Sequence, residues 1–551
     1  MAAVRYRRIL CALLLCGCGT EGGKTPGGTM AIAAGGDPDA LIPALVQTTT
    51  AAEIVDMLYD RLADIGDSLN IVGDHGFTPR LADRWTWSAD SLSIAFHLNP
   101  DAKWHDGQPV RSNDVRFTIA TTKDSTLGAP LASVITNIDS VSTPDSATAV
   151  FWFRARSPQQ FYDAAFQNPI IPEHVWKDIA PAGWRGSPQA KSPIGSGQYR
   201  FSRWIPSAAV ELVADTANYH GAPKIRRLIW SIGPDFNTLL TRFLGGETDL
   251  FENLRPENLA DVKKHPTLAV ATKPWLAYTF VQFNLRDPNN HDRPHPLFGN
   301  RDLRRALTMA TDRAAIVRST YDTTALPALG PTIRAYSTTD PKLPQIPYDP
   351  AAARKLLDSL GWRLSGNDSV RVRDGRPLRF SVSVPSSSRI RVQTAVLLQE
   401  QLRQVGVKVD VDQLAFPAMI DKARKRAFDT YIGQWNTQPS PNAVIGSWGT
   451  AAASNGGNNY GSYVNPVFDA YVDSGVAAFD PAKRREYFTK AYQTIIQDAP
   501  AIWLAEPKQI VGYHSRLKLA PMRPDAWWAH LADWWIPSDK RIARDSIPPS
   551  Q

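Results

Sequence analysis

Residues 394–414, TAVLLQEQLRQVGVKVDVDQL, read as a helix up to Gly406 and as a strand beyond it, where Val407, Val409 and Val411 alternate with polar residues. A helix delivered through one glycine into a half-buried strand is the repeating unit of α/β folds. The same alternation runs along the chain. TMAIAAGG (29–36) reads as a first strand ended by glycines. AAEIVDMLYDRLA (51–63) reads as a helix with apolar positions 54, 55, 58 and 62. LSIAFHL (92–98) and ATAVFWF (147–153) read as strands. RDLRRALTMATDRAAIVRST (301–320) predicts one helix with Leu303, Leu307, Ala310, Ala314 and Val317 on one face and arginines on the other. YDPAAARKLLDSLGW carries its own limits: Asp349 as N-cap, Pro350 in the first turn, Gly361 as the stop. PAKRREYFTKAYQTIIQDA predicts a helix and AIWLAE a strand. The class is α/β, and 551 residues are too many for one core.

The three cysteines, Cys11, Cys16 and Cys18, all lie at the start. RYRR followed by a short apolar run, Ile9 to Leu15, has the layout of an export signal and is far shorter than the roughly 20 residues that span a bilayer. A body without thiols suits an oxidising compartment. GTEGGKTPGGT (19–29) reads as a flexible tether. Net charge is +8, and no Lys/Arg cluster has the footprint of a nucleic-acid site; KARKRAF (422–428) reads as a solvated helix face.

Catalytic motifs are missing from the sequence. There is no nucleophile elbow, P-loop or dinucleotide fingerprint, and GSGQYR lacks the Lys-Ser/Thr end of a phosphate loop. His291 and His295 in NHDRPHP stand four apart, but Pro294 and Pro296 exclude a regular helix, so a surface loop is expected there rather than a metal site. No catalytic residue, metal or cofactor is assigned.

Longer blocks carry a resemblance over nearly the whole chain. LADRWTWSADSLSIAFHLNPDAKWHDGQPVRSNDVRFTI holds Leu81, Ala82, Trp85, Asp90, Lys103, Trp104, His105, Asp106, Gly107, Pro109, Asp114 and Val115 in the order of the signature region of the family 5 extracellular solute-binding proteins. SPIGSGQYRF, NYHGAPKIRRLIW, LLTRFLGGETDL, FNLRDP, FDTYIGQW and QDAPAIWL follow in family order. On physical grounds most of these positions are structural: Asp106-Gly107 makes a tight turn, Trp104 belongs to a core, and Asn113-Asp114 would cap a helix starting near Val115.

The resemblance implies a two-lobed periplasmic-binding-protein fold of the large, type II peptide-binding class. Residues 1–17 would be a signal peptide and 18–29 a tether lipidated on Cys18, since Leu15-Cys16-Gly17-Cys18 resembles a lipobox. The first lobe would take 30–274, with an extra subdomain at about 51–190; the second 275–505; and 506–551 would return to the first. The protein would be a monomer, exported and lipid-anchored to the membrane. It would capture a peptide or other small polar solute for an ABC permease and ATPase complex. A solute sensor without transport and a secreted hydrolase are the alternatives.

In peptide-binding relatives an aspartate that pairs with the peptide ammonium follows the tryptophan matched by Trp435. Here no acidic residue lies between Trp435 and Trp448, and Ser440 or Asn442 stands in that neighbourhood. The expected ligand-binding residues are Trp435 and Trp448 for stacking, Asn436, Gln438, Ser440 and Asn458 for hydrogen bonds, and Tyr278 and Tyr460 as amphipathic rings. A core role for Trp435 stands beside its ligand role.

Overall fold

The computed structural model describes residues 26–364, 369–454 and 457–548. The segment expected to be an export signal, with Cys18, lies outside them. Most of the tether does too, and its last residues are already docked: Pro26 to Gly28 are buried, and Gly27 N–H donates to the Lys224 carbonyl at 3.0 Å.

Eleven strands define the frame: β1 (Thr29–Ala34), β2 (Tyr199–Ile205), β3 (Ala209–Ala214), β4 (Arg227–Ile232), β5 (Leu250–Phe251), β6 (Leu268–Pro274), β7 (Ala277–Phe283), β8 (Arg379–Pro385), β9 (Lys408–Leu414), β10 (Thr430–Asn436) and β11 (Ala501–His514). They hydrogen-bond in the order β9-β8-β10-β7-β11-β5-β1-β4-β3-β2, with β6 also on β11. β11 is shared by two lobes. Its first half pairs with β7, from Gln282 opposite Ala501 to Thr279 opposite Ala505; its second half pairs with β6, from Pro274 opposite Lys508 to Leu268 opposite His514. The chain therefore crosses between lobes twice, through Trp275–Leu276 and through Glu506–Lys508.

In the first lobe β1 runs parallel to β4 and β5; in the second β8 runs parallel to β9 and β10. Three helices matter below: α1 (Arg313–Tyr321), α2 (Arg389–Arg403) and α3 (Pro481–Asp498). An antiparallel sheet of Ala82–Trp87, Ser93–Leu98, Thr148–Phe153 and Ile138–Asp145 stands apart on the first lobe, around a cluster of Trp85, Phe96, Phe151 and Phe161 rings.

Strands 93–98 and 148–153 and the limits of helix Pro350–Ser359 match the sequence reading: Asp349 Oδ1 accepts from Ala352 N–H at 2.8 Å, and Gly361 takes φ +83°. Four helix readings change. Helix 51–63 is Thr49–Leu58, and Ala63–Asp64 is a short strand. The helix expected over 301–320 is two, Arg301–Met309 and α1, because Asp312 caps a fresh start by accepting from Ala315 N–H at 2.8 Å. Arg304, expected on the outer face, is buried and donates to the carbonyls of Phe298, Asp498 and Ala499, closing the end of α3. Asp114 caps from inside the first turn of helix Ser112–Lys123, accepting from Arg111 N–H and Glu173 N–H, both at 2.8 Å.

His105 shows why the signature blocks are structural. Its Nδ1 accepts from Gly195 N–H at 3.1 Å, so the ring is neutral and Nε2 donates to the Gly197 carbonyl at 2.9 Å. Burial pushes its pKa down, in keeping with the neutral form. Both glycines are needed: a Cβ on Gly195 would overlap the Leu58 carbonyl oxygen, and one on Gly197 that of Met57. WHDG and GSG thus lock a turn onto the end of helix 49–58. His295 departs from the expected surface loop: it is buried, with Nε2 3.3 Å from Asp429 Oδ1 and Nδ1 accepting from Phe298 N–H.

Candidate functional site

In α/β sheets the carboxyl ends of parallel strands leave a crevice, because the chain departs to opposite faces there. Here the two lobes turn such edges toward one another. After β5 come Asn253 and Arg255; after β8 come Ser388 and Arg391 at the start of α2; Gln434 lies near the end of β10. These residues, with Tyr321 at the end of α1 and Trp275, Lys508 and Gln509 of the two crossings, surround a cavity of about 200 Å³ between the lobes. Its floor is the pair of crossing segments, so its shape must change whenever the lobes rotate.

A latch closes the seam. Gln159, ahead of helix Gln160–Ala165 in the first lobe, bonds across it to Ser440 Oγ at 3.0 Å and to Asn442 Nδ2. Arg156 lies 5.2 Å over the Phe479 ring, a second bridge between lobes. Tyr336 Oη sits 2.6 Å from both Thr437 Oγ1 and the Gln438 carbonyl, and Thr437 N–H donates to the Leu276 carbonyl at the first crossing. The 436–442 loop is thus tied to the hinge at one end and to the opposite lobe at the other.

The sequence-predicted residues fall into three places. Ser440, Asn436 and Gln438 belong to that loop; Asn436 and Gln438 are exposed. Tyr278 and Trp448 lie inside the second lobe, 1% and 0% exposed, joined by Trp448 Nε1 donating to Tyr278 Oη at 2.8 Å. Trp435 and Tyr460 pack together, ring centroids 5.9 Å apart, on the Phe280 side of the sheet; Asn458 is exposed and accepts from Tyr460 Oη. Strand alternation separates Trp435 from its neighbour Gln434, which faces the cavity from the opposite side.

Sequence reasoning missed Asn253, Arg255, Trp275, Ser388, Arg391, Lys508 and Gln509. The available signal was topological: each follows the carboxyl end of a parallel strand or sits in or directly beside a crossing. Among the described residues no cluster of His, Cys, Asp or Glu is arranged to hold a metal, and no helix is long and apolar enough to cross a membrane.

The model of the bacterial extracellular solute-binding proteins, family 5, matches residues 76–456. The chain is 23% identical over 524 residues to the oligopeptide-binding protein AppA of Bacillus subtilis, covering 94% of this chain and 93% of that one. Its fold is similar to that of the ABC transporter substrate-binding protein CtaP of Listeria monocytogenes, with TM-score 0.80, 23% identity, and coverage of 93% and 100%. It is also similar to that of NikA from Brucella suis in complex with Fe(III)-EDTA, with TM-score 0.77, 18% identity, and coverage of 92% and 100%.

Proposed function

The chain belongs to the bacterial extracellular solute-binding proteins of family 5, and on that premise we propose that it is an exported lipoprotein receptor that closes its two lobes on a small, peptide-like or other polar solute and presents it to an ABC permease and ATPase. The observation that carries this reading is a cavity floored by two crossings and spanned by the Gln159–Ser440 bond, so that a rotation about Trp275–Leu276 and Glu506–Lys508 would open the cavity and break the latch together. Peptide-binding relatives such as AppA support the solute class. The protein binds and releases; it does not turn the solute over.

Closure is directly measurable. Native mass spectrometry of the purified protein should show a co-purifying solute that disappears on unfolding. Once the protein is emptied, small-angle scattering should show its radius of gyration fall when the solute returns, because hinge closure brings the lobes together. A radius unchanged at saturation would reject closure as the capture mechanism.

The anchor has its own test. With Cys18→Ser the protein should move from the membrane to the soluble fraction, since thioether-linked diacylglycerol plus an N-acyl chain is the multi-chain anchor that stable attachment needs. Retention of the variant in membranes would exclude lipidation at Cys18.

A further inference from the structure

Three cations border the cavity between the lobes: Arg255, Arg391 and Lys508. No Asp or Glu is among the residues lining it. Each cation lacks an anionic partner among the described residues. Arg255 lies 3.8 Å over the Phe236 ring, and Lys508 Nζ reaches only the Thr323 carbonyl, at 3.3 Å. The Arg391 guanidinium is half-buried with no hydrogen bond; burial pulls its pKa down, opposed by the nearby hydroxyls of Tyr321 and Tyr431.

The neighbouring acids do not supply the missing charge. Glu506 is committed to Arg334, with Nη1 2.5 Å from Oε2. Glu252 stands behind Gln509, and burial pushes its carboxyl upward toward the neutral form. A larger groove of about 640 Å³, between Asn70–Val72 and the start of α3, provides the contrast. There Lys490 pairs with Glu486 at 2.6 Å, Arg485 donates to the Ser337 carbonyl, and Arg484 donates to those of Gly475 and Val476. In that groove one cation is paired with an acid and both arginines are hydrogen-bonded to carbonyls; in the inter-lobe cavity, among the described residues, no cation is paired with an acid and the Arg391 guanidinium has no hydrogen bond.

We propose that the solute held between the lobes is a small oxyanion-bearing molecule without a free ammonium group, its negative charges received by Arg391, Arg255 and Lys508. The proposal rests on the receptor reading above and assigns its solute class. Closing the lobes withdraws three like charges from water, and an anion is what makes that closure favourable. A guanidinium fork matches carboxylate and phosphate equally, so both share the required chemistry. The volume lies below the roughly 300 Å³ at which drug-sized sites begin, which sets the scale at one or two residues of peptide.

The test is calorimetric titration of the emptied protein with N-acetylglutamate, glycerol 3-phosphate, glutamate and lysinamide. One of the first two should bind at least about tenfold more tightly than glutamate or lysinamide, the worth of one ion pair of about 1.4 kcal/mol. Which of the two wins distinguishes carboxylate from phosphate. Its affinity should fall with added salt. Arg391→Gln should lose at least about tenfold in affinity with an unchanged Tm in the empty state, because the guanidinium has no partner there. Tighter binding of glutamate than of its acetylated form, or of lysinamide than of either anion, would overturn the proposal. Scattering would still show closure in that case, so the receptor reading would survive. Binding by none of the four would overturn the proposal, and solute-induced closure, measured separately, would decide the receptor reading.

Discussion

Replacing Arg516 by Met will destabilise the first lobe more than almost any other single change. Arg516 is 3% exposed and holds two buried carboxylates: Nε is 2.7 Å from Asp249 Oδ1, and Nη1 is 2.6 Å from Asp545 Oδ2. Its Nη2 donates to the Thr29 carbonyl at 2.6 Å. Asp249 in turn accepts from Ala31 N–H, and Asp545 from Thr29 N–H. One guanidinium therefore joins β1, the approach to β5 and the C-terminal tail. Removing it leaves both acids buried with less compensation, since Arg544 reaches only Asp249. Breaking such a buried network costs about 3–5 kcal/mol. The expected result is a Tm lower by at least about 5 °C and early proteolysis of the tail beyond Arg516. A Tm within 1 °C of the parent, roughly the effect of a surface substitution, would show that the network is dispensable.

The parts of the fold written in local pattern were legible in the sequence. Asp349, Pro350 and Gly361 stand where a cap, a first turn and a stop require them, so that helix could be bounded without tertiary information. The 301–320 segment failed for the opposite reason. Its apolar spacing is continuous, but Asp312 satisfies orphan N–H groups and restarts the helix, a competition that periodicity does not register. Arg304 failed because burial of an arginine depends on carbonyls nearly two hundred residues away. The site was half legible. The 436–442 loop followed from the resemblance, whereas Arg255, Arg391 and Lys508 come together only once strand order and the two crossings are known.

Trp448 shows how a core role and a binding role are separated. Its ring is fully buried, edge-on to Trp503 with centroids 4.7 Å apart and to Phe280 at 5.4 Å, and its indole N–H is spent on Tyr278. Trp448→Ala should cost about 3–5 kcal/mol through cavity formation; the Tyr278 hydroxyl would also lose its donor. Tyr278→Phe should cost less, about 1–3 kcal/mol, because it leaves the buried indole N–H without its acceptor. Added to Trp448→Ala, Tyr278→Phe should cost less than it does alone, because the bond is already gone. The decisive comparison is with solute affinity. A core tryptophan lowers the Tm of empty and loaded protein together and leaves Kd, measured well below the melting range, within about twofold, less than 0.5 kcal/mol. A tryptophan that stacks on the solute would lose affinity with little change in the empty-state Tm. The hydrogen bond to Tyr278 and the absence of exposed ring surface predict the first pattern, and the second would require the lobe to rearrange around Trp448 when solute enters.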